Sequence, residues 1–383
     1  MSCTCEELTT VEWTEFPNEQ PYFVRGCRHE SFCPDATEGW TFEGRGAFDV
    51  CYQREARGST DARRQRATLH ACLVAKPWGP LFKEVLHAMH WVRGWIQDNA
   101  TKDPARAFEP IRIVGRQKEV RTIDLVAECL LISRLSERLA SYGAVIIGEE
   151  SLRDPETDLS SVDSPVILVD AVDGTKQLER DVHGHWCSAA VVFHPPTHAI
   201  LASFVVLPDG WVVFKVGAQA AKCRFMYGRL DIVALAGPST VTTLDQAAIS
   251  FYGQKKEYLH ANGALAVRLD PFLIWPGGGN PAIVRLVDRR TVDAVYELRG
   301  QWPHDVVPAL AIAEACGVTL MTLQGEPLDL YRALCRPGHP QSRLCYIAAS
   351  TPELAAAIAH EATASSSVGS LAVADLHRFA AAS

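Results

Sequence analysis

Two short apolar runs constrain this chain most, because each one ends in carboxylates. Ala144–Gly148 (AVIIG) is followed by Glu149-Glu150-Ser151, and Val166–Val169 (VILV) by Asp170-Ala171-Val172-Asp173-Gly174-Thr175. Short apolar runs bounded by turn residues read as buried strands. Acidic residues just past such strands sit where open α/β sheets place their sites. Asp170 and Asp173 cannot both be buried unpaired, since each buried ion costs several kcal/mol. A divalent cation would satisfy both. Gly174 lets the backbone approach a ligand closely, and Thr175 to Arg180 can start a helix whose first N–H groups favour a phosphate. Metal-binding carboxylates beside an anion-binding helix start are a phosphoryl-transfer layout. An Asp-capped helix after a Gly turn reads the same way, so this motif alone leaves both open.

The rest of the chain supplies the elements around these strands. Leu81, Val85, Leu86, Met89, Val92 and Ile96 recur at helical spacing after Pro80. A second helix is expected over Thr122–Ser141. Ser188–Phe193, Ala199–Leu207 and Trp211–Val216 read as an antiparallel meander. Further on, Asn280 is expected to cap a helix that begins at Pro281. An apolar helix is expected over Asp305–Cys316, and a last one from Thr351 to about Glu361. Thr41–Arg54 looks like a hairpin. The expected division is 1–75 as an extension of unknown role, 76–228 as a metal-binding α+β half, 229–363 as an α/β half, and 364–383 as a tail.

Composition narrows the function classes. The 383 residues carry a formal charge of −8 and are 48% hydrophobic, so the chain can bury a core and offers no global grip on nucleic acid. Its longest strongly apolar run, Ala199–Leu207, is far short of the ~20 residues of a membrane span. The start has neither the basic region nor the apolar core of a secretory signal. Twelve scattered Cys then read as reduced thiols in a cytoplasm. Cys3, Cys5, Cys27, His29 and Cys33 do not have a standard zinc spacing and are read as free thiols. His183 and His185 are read as loop residues, since Mg²⁺ prefers oxygen.

Two more carboxylates complete the pattern. Asp305 follows Trp302-Pro303-His304 at a helix start, where an N-cap is the ordinary role. Asp124 lies near the start of the helix 122–141, where it also suits the helix dipole. Together, residues 148–151, 170–175 and 302–305 resemble the inositol monophosphatase superfamily of Mg²⁺-dependent phosphatases. The family pattern is Glu-Glu after a strand, Asp-Pro-Ile/Leu-Asp-Gly-Thr, then Trp-Asp at a helix start. The resemblance covers roughly residues 80–361. It implies a layered α/β fold, an α/β/α/β/α sandwich.

The resemblance also implies roles and two or three Mg²⁺ per site. Glu149, Asp170 and the Val172 carbonyl would hold one ion. Asp170, Asp173 and Asp305 would hold a second. Asp124 with Glu149 would reach a third through water. Thr175, paired with Asp124, would orient and deprotonate the attacking water, and the N–H groups of Gly174 and Thr175 would bind phosphate. Glu297 resembles the family's hydroxyl-binding Glu. Lys176, in an Asp-Gly-Thr-Lys form, resembles the branch acting on 3′(2′),5′-bisphosphate nucleotides, though a solvated charge reads equally well. Ala171 replaces the family's Pro, and His304 its Trp, which marks a divergent member.

The expected function is hydrolysis of a small phosphate monoester of a polyol, sugar or nucleoside by a metal-activated water. A 3′(2′),5′-bisphosphate nucleotidase is the alternative enzyme. A non-catalytic phosphate-ligand-binding or regulatory protein retaining the fold is the alternative of another class. The expected partners are a small phosphorylated substrate and a second copy of the chain, a homodimer, with neither nucleic acid polymer nor membrane.

Overall fold

The computed structural model describes residues 38–43, 49–54, 78–112, 119–152, 157–181, 185–226 and 229–368. Cys3, Cys5, Cys27, His29, Cys33 and His183 lie outside them. The chain divides into two compact units, Met1–Leu235 and Ala236–Ser383.

The first unit is built on a nine-stranded sheet. In chain order its strands are β1 (Glu38–Glu43), β2 (Asp49–Arg54), β3 (Val145–Gly148), β4 (Val166–Asp173), β5 (Cys187–His194), β6 (Ala199–Val206), β7 (Val212–Val216), β8 (Gln219–Met226) and β9 (Arg229–Val233). Across the sheet they run β2-β1-β9-β8-β7-β6-β5-β4-β3. Among the described residues of this sheet, only β3 and β4 pair in parallel, with Val145 opposite Val166 and Gly148 opposite Val169. That pairing brings the two acid-tipped strand ends side by side. The meander appears as expected. The hairpin forms too, and β1 joins it to the sheet through β9.

Helices α1 (Gly79–Lys102) and α2 (Thr122–Leu139) cover one face of this sheet. The α1 residues Leu81, Val85, Met89, Val92 and Ile96 pack with Leu131 and Leu135 of α2 and with Val169, Val192 and Phe204 of the sheet. A fully buried side chain of this kind contributes about 1.5–3 kcal/mol, so this stripe fixes α2 and, with it, Asp124.

The second unit has a five-stranded sheet in the order β11-β10-β12-β14-β13. Its strands are β10 (Ala248–Phe251), β11 (Leu273–Trp275), β12 (Ala294–Gln301), β13 (Thr319–Met321) and β14 (Leu344–Ala349). The helix α4 (Lys256–Leu269) and the last helix α7 (Pro352–Val368) pack against Ile249, Phe251, Ala294, Tyr296 and Ile347. On the other face lie α5 (Gly279–Ile283) and α6 (Pro303–Ala315). A short α3 (Thr175–Glu179) follows β4 in the first unit. Both units are layered α/β, the class the sequence leads one to expect. Among the described residues, no helix is long and apolar enough to cross a membrane.

Several boundaries differ from expectation. β4 does not stop at Val169 but runs on to Asp173, because a bulge lets the acidic residues stay in register with β5. Asn280 lies inside α5, whose N-cap is Gly278. Helix α6 starts at Pro303 with Trp302 as its cap, so Asp305 is a first-turn residue. Helix α7 runs to Val368, since the Ala- and Ser-rich sequence past Glu361 opposes no helical turn.

One polar feature of α1 carries a pH dependence. Burial, together with the charges of His90, Arg134, Arg138 and Lys83, holds His87 well below the ordinary imidazole value. Burial and Arg93 bring His90 down to about 3. Both histidines are therefore neutral when folded and take up protons on unfolding. Their contribution to stability is present above about pH 6.5 and is lost as pH falls below it, by about 1.4 kcal/mol per pH unit per group. Buried carboxyls elsewhere in the chain, raised to about 7, work in the opposite sense over this range, so the test is a difference: as pH falls from about 6.5 to 4.5, the thermal midpoint of His90→Gln should rise relative to that of the wild type. Equal slopes for the variant and the wild type would count against this origin.

Candidate active site

The site begins with a bulge in β4. Asp170 pairs with Ala189 and Asp173 with Cys187, so three steps on β4 span two on β5. A bulge breaks the alternation and re-aims side chains. Here it lets Asp170 and Asp173, three apart, serve one strand end. The carbonyl released at Ala171 accepts a 2.7 Å hydrogen bond from Ser188 Oγ. The buried Asp170 turns one oxygen, Oδ1, onto the Val172 N–H at 3.0 Å. The Ala171 backbone is thus held by partners where the family pattern has Pro.

Gly174 has no alternative residue. Its φ is +95°, and a Cβ there would come 2.6 Å from the His185 carbonyl oxygen. It caps α3, and its carbonyl accepts from the Gln177 and Leu178 N–H groups. This turn presents Thr175 to α2. The Thr175 hydroxyl donates to Asp124 Oδ1 at 2.7 Å and lies 3.1 Å from the Val172 carbonyl. The other Asp124 oxygen accepts from the Arg121 N–H at 3.3 Å, a reciprocal cap on α2. The dipole role read for Asp124 and its contact with Thr175 therefore coexist. Arg121 also holds Glu179 at the far end of α3 by two 3.1 Å hydrogen bonds.

Glu149 follows β3, and its N–H donates to the Val169 carbonyl at 3.1 Å, which ties it to the neighbouring strand end. Beneath it lies a carboxyl that sequence reading passed over, Glu128 of α2. It is buried and accepts from the Glu150 N–H at 2.7 Å. A Cβ on residue 148 would stand 2.1 Å from the Glu128 side chain, so Gly148 is what admits it. The signal was present as an acidic residue on the buried face of an otherwise apolar helix.

These groups share one electrostatic problem. Burial pushes the Asp124 carboxyl up to about 7, the Thr175 hydrogen bond pulls against it, and Glu149 and Glu150 add to the rise. Burial likewise pushes Glu128 up to about 7, against hydrogen bonds from the Glu150 N–H and Ser151. Like charges gathered in a dry place raise one another's pKa, and a cation reverses the effect. The donors on offer are all oxygen, from Glu149, Asp170, Asp173 and the Val172 carbonyl, the set a hard divalent cation takes. These residues could hold a metal ion. Lys176 is exposed on α3.

The remaining sequence-derived candidates lie in the second unit. Asp305 sits in the first turn of α6, 3.6 Å from His304 Nε2. Glu297 is fully buried, accepting from Asn262 Nδ2 at 3.0 Å and from the Arg299 N–H at 2.7 Å. Burial pushes it up to about 7. The turn carrying Asp305 has an unusual support. Pro308 inside α6 has no N–H to give the His304 carbonyl. Asn280 supplies one, its Nδ2 donating to the His304 carbonyl at 2.9 Å. Its Oδ1 accepts from the Ala309 N–H at 3.0 Å. One buried amide thus gives the His304 carbonyl the donor Pro308 lacks and takes the Ala309 N–H as well, from a place within α5 and not at its cap.

No family model matches the sequence, and no curated protein matches it. Solved structures do. An IMPase of Thermotoga maritima superposes with a TM-score of 0.56 at 13% identity, over 74% of this chain and 96% of that one. SaIMPase-II with 2′AMP bound gives 0.56 at 15%, over 78% and 99%. The extragenic suppressor protein SuhB of Bartonella henselae gives 0.54 at 13%, over 73% and 97%. This is the inositol monophosphatase fold. The likeness lies in the fold, since few residues are shared.

The Asn280 repair can be tested directly. Asn280→Ala leaves a buried carbonyl and a buried N–H unsatisfied, at about 1–3 kcal/mol each. The thermal midpoint should fall accordingly. Adding Pro308→Ala restores an N–H to the helix ladder and should recover part of the loss. Strictly additive destabilisation in the double variant would rule the repair out.

Proposed function

We propose that this chain hydrolyses a small phosphate monoester with the help of Mg²⁺. The observation that carries the reading is the 2.7 Å hydrogen bond from Thr175 to Asp124, beside the carboxylates of Glu149, Asp170 and Asp173. A hydroxyl has one proton. Once Thr175 gives it to Asp124, its lone pairs face outward and accept a proton from water. The pair thereby orients a water and draws off its proton, the general-base role. Gly174 keeps the backbone bare, so that the N–H groups of Gly174 and Thr175 receive the phosphate. Bound Mg²⁺ would supply Lewis-acid activation of water and neutralise charge on the departing oxygen.

Glu149, Asp170 and the Val172 carbonyl are proposed to hold one ion, and Asp170, Asp173 and Asp305 a second, with Asp124 and Glu149 serving a third. Glu297 is proposed to act on the substrate side. These assignments rest on the resemblance of residues 148–151, 170–175 and 302–305 to the family pattern, and the shared fold supports them. Structures of that fold are described with inositol monophosphate and with 2′AMP bound. A small phosphorylated molecule is accordingly proposed as substrate here. The thiol-rich sequence supports a cytoplasmic location, and a homodimer is proposed, which light scattering would reveal as twice the chain mass.

Phosphate release from inositol, sugar and nucleoside monophosphates with Mg²⁺ tests the reading. Asp170→Asn should lower turnover roughly a thousandfold, the several kcal/mol of charge stabilisation that a metal supplies. Excess Mg²⁺ should not restore it. Near-normal turnover would sink the assignment.

Thr175→Ala removes no carboxylate and touches neither of the first two proposed ion sites, only the hydrogen bond to Asp124. It should lower kcat by about a hundredfold or more while leaving affinity for the first two ions, measured by calorimetry, unchanged. A large loss of metal affinity instead would make Thr175 a structural residue of the site.

A further inference from the structure

The large apolar side chains left exposed among the described residues all fall in one short stretch of the second unit. They are Leu259 (47%), Val267 (73%), Phe272 (76%), Leu273 (51%) and Ile274 (41%). Scattered singly over a surface such residues need no explanation, but gathered in one patch they mark an interaction site. Leu259 and Val267 lie eight apart on α4 with Gly263 between them, so all three share one flank of the helix. Phe272, Leu273 and Ile274 belong to β11 and the residue before it. The two parts adjoin. A Cβ on Gly253 would lie 3.4 Å from Leu259 Cδ1 and 2.7 Å from Pro276 Cβ, so the helix flank and the end of β11 meet over that glycine.

β11 is an edge. Its inner side is taken by β10, with which it pairs in parallel, and the Leu273 N–H donates to the Ala247 carbonyl at 3.2 Å. Among the described residues no strand lies on its outer side. Pro271 and Pro276 bracket it, and proline gives a ladder no N–H. The edge is therefore guarded against open-ended strand addition while its side chains stay apolar, so a partner is met by side chains. A whole aromatic side chain covers about 150–250 Å², so five large, part-exposed ones leave on the order of 500 Å² open, the upper end of what a monomer shows in one patch. Two copies set face to face would remove on the order of 1,000 Å² before the polar rim is added, enough for a specific interface. The rim suits a copy. Lys256 and Glu257 at the start of α4, and Arg268 and Asp270 at its end, are exposed. A face that meets itself would be repelled by a rim of one sign, and this rim carries both signs at each end. Cations alone would have suited a lipid surface.

We propose that the flank of α4 and the free edge β11 form the contact between two copies of this chain, related by a two-fold axis. Such an isologous contact uses the same patch on both copies and closes on itself, so it buries the edge without leaving a new one. The proposal deepens the homodimer reading above by naming its surface, and it owes nothing to the phosphatase assignment.

Light scattering on the full chain, over a series of concentrations, reads the contact. The wild type should reach twice the chain mass. Phe272→Asp and Val267→Asp should each weaken self-association about thirtyfold or more, the loss of one central anchor. Their far-UV circular dichroism should match the wild type, because both side chains are exposed. Amide exchange across residues 256–276 should slow in the wild type as concentration rises, and not in Phe272→Asp. A wild type of single chain mass at every concentration overturns the surface together with the homodimer, the result also expected if another segment of the same chain covers the patch. A dimer unchanged by both substitutions overturns the surface and leaves the homodimer standing. Should one variant fail to fold, the other, on a separate element, decides. Phosphate release enters none of these readouts, so their failure and the failure of the hydrolase reading are separate results.

Discussion

Crowded negative charge is the constraint on which the first unit depends. Four carboxyls, Asp124, Glu128, Glu149 and Asp170, stand at the ends of two adjacent parallel strands and the helix across them, where water is scarce. Left to repel, they would push the strand ends apart. Three of them are instead given a specific donor: the Thr175 hydroxyl for Asp124, the Glu150 N–H for Glu128 and the Val172 N–H for Asp170. The backbone departures in this region, the β4 bulge and the left-handed Gly174, serve that placement. Apolar packing of α1 and α2 on the sheet supplies the stability that lets the charges be held so close.

The second unit solves a different problem by similar means. Pro308 interrupts an almost wholly buried helix, where no water can replace the missing donor. A single asparagine from α5 supplies that donor and also accepts from the next N–H. The turn that carries His304 and Asp305 is thereby held from outside its own helix. The β12 bulge immediately before it then directs Arg299 toward Tyr258. In both units an irregularity in a strand or helix lies within a few residues of the groups that matter.

What could be read from sequence was what depends on local pattern. The strands VIIG and VILV, the helices on Leu81–Ile96 and Thr122–Leu139, and the meander all follow from periodicity and turn residues. So did the acidic clusters, because carboxylates at apolar strand ends stand out in one dimension. The Thr175–Asp124 contact was legible only through resemblance to a known family, since the partners lie on separate elements. Glu128, Ser188, Asn262 and Asn280 were missed because each acts on a distant backbone group. Asn280 was misread for an instructive reason: Asn before Pro has the look of a cap, yet its amide serves another helix. The extension of β4 past Val169 was missed because a bulge leaves no signature in residue type.

The fit of Glu128 beneath Gly148 has a consequence for tracing this chain's ancestry. The two positions share one volume, so 148 is not free to change while glutamate stands at 128. A side chain at 148 would require a shorter residue at 128, and loss of the carboxyl at 128 would release 148 from glycine. Homologues too distant for overall similarity should therefore carry these positions as a linked pair, with no side chain at 148 wherever glutamate is kept at 128. Such a covarying pair, one helix and one strand apart in the fold, is a fossil that outlasts the surrounding sequence.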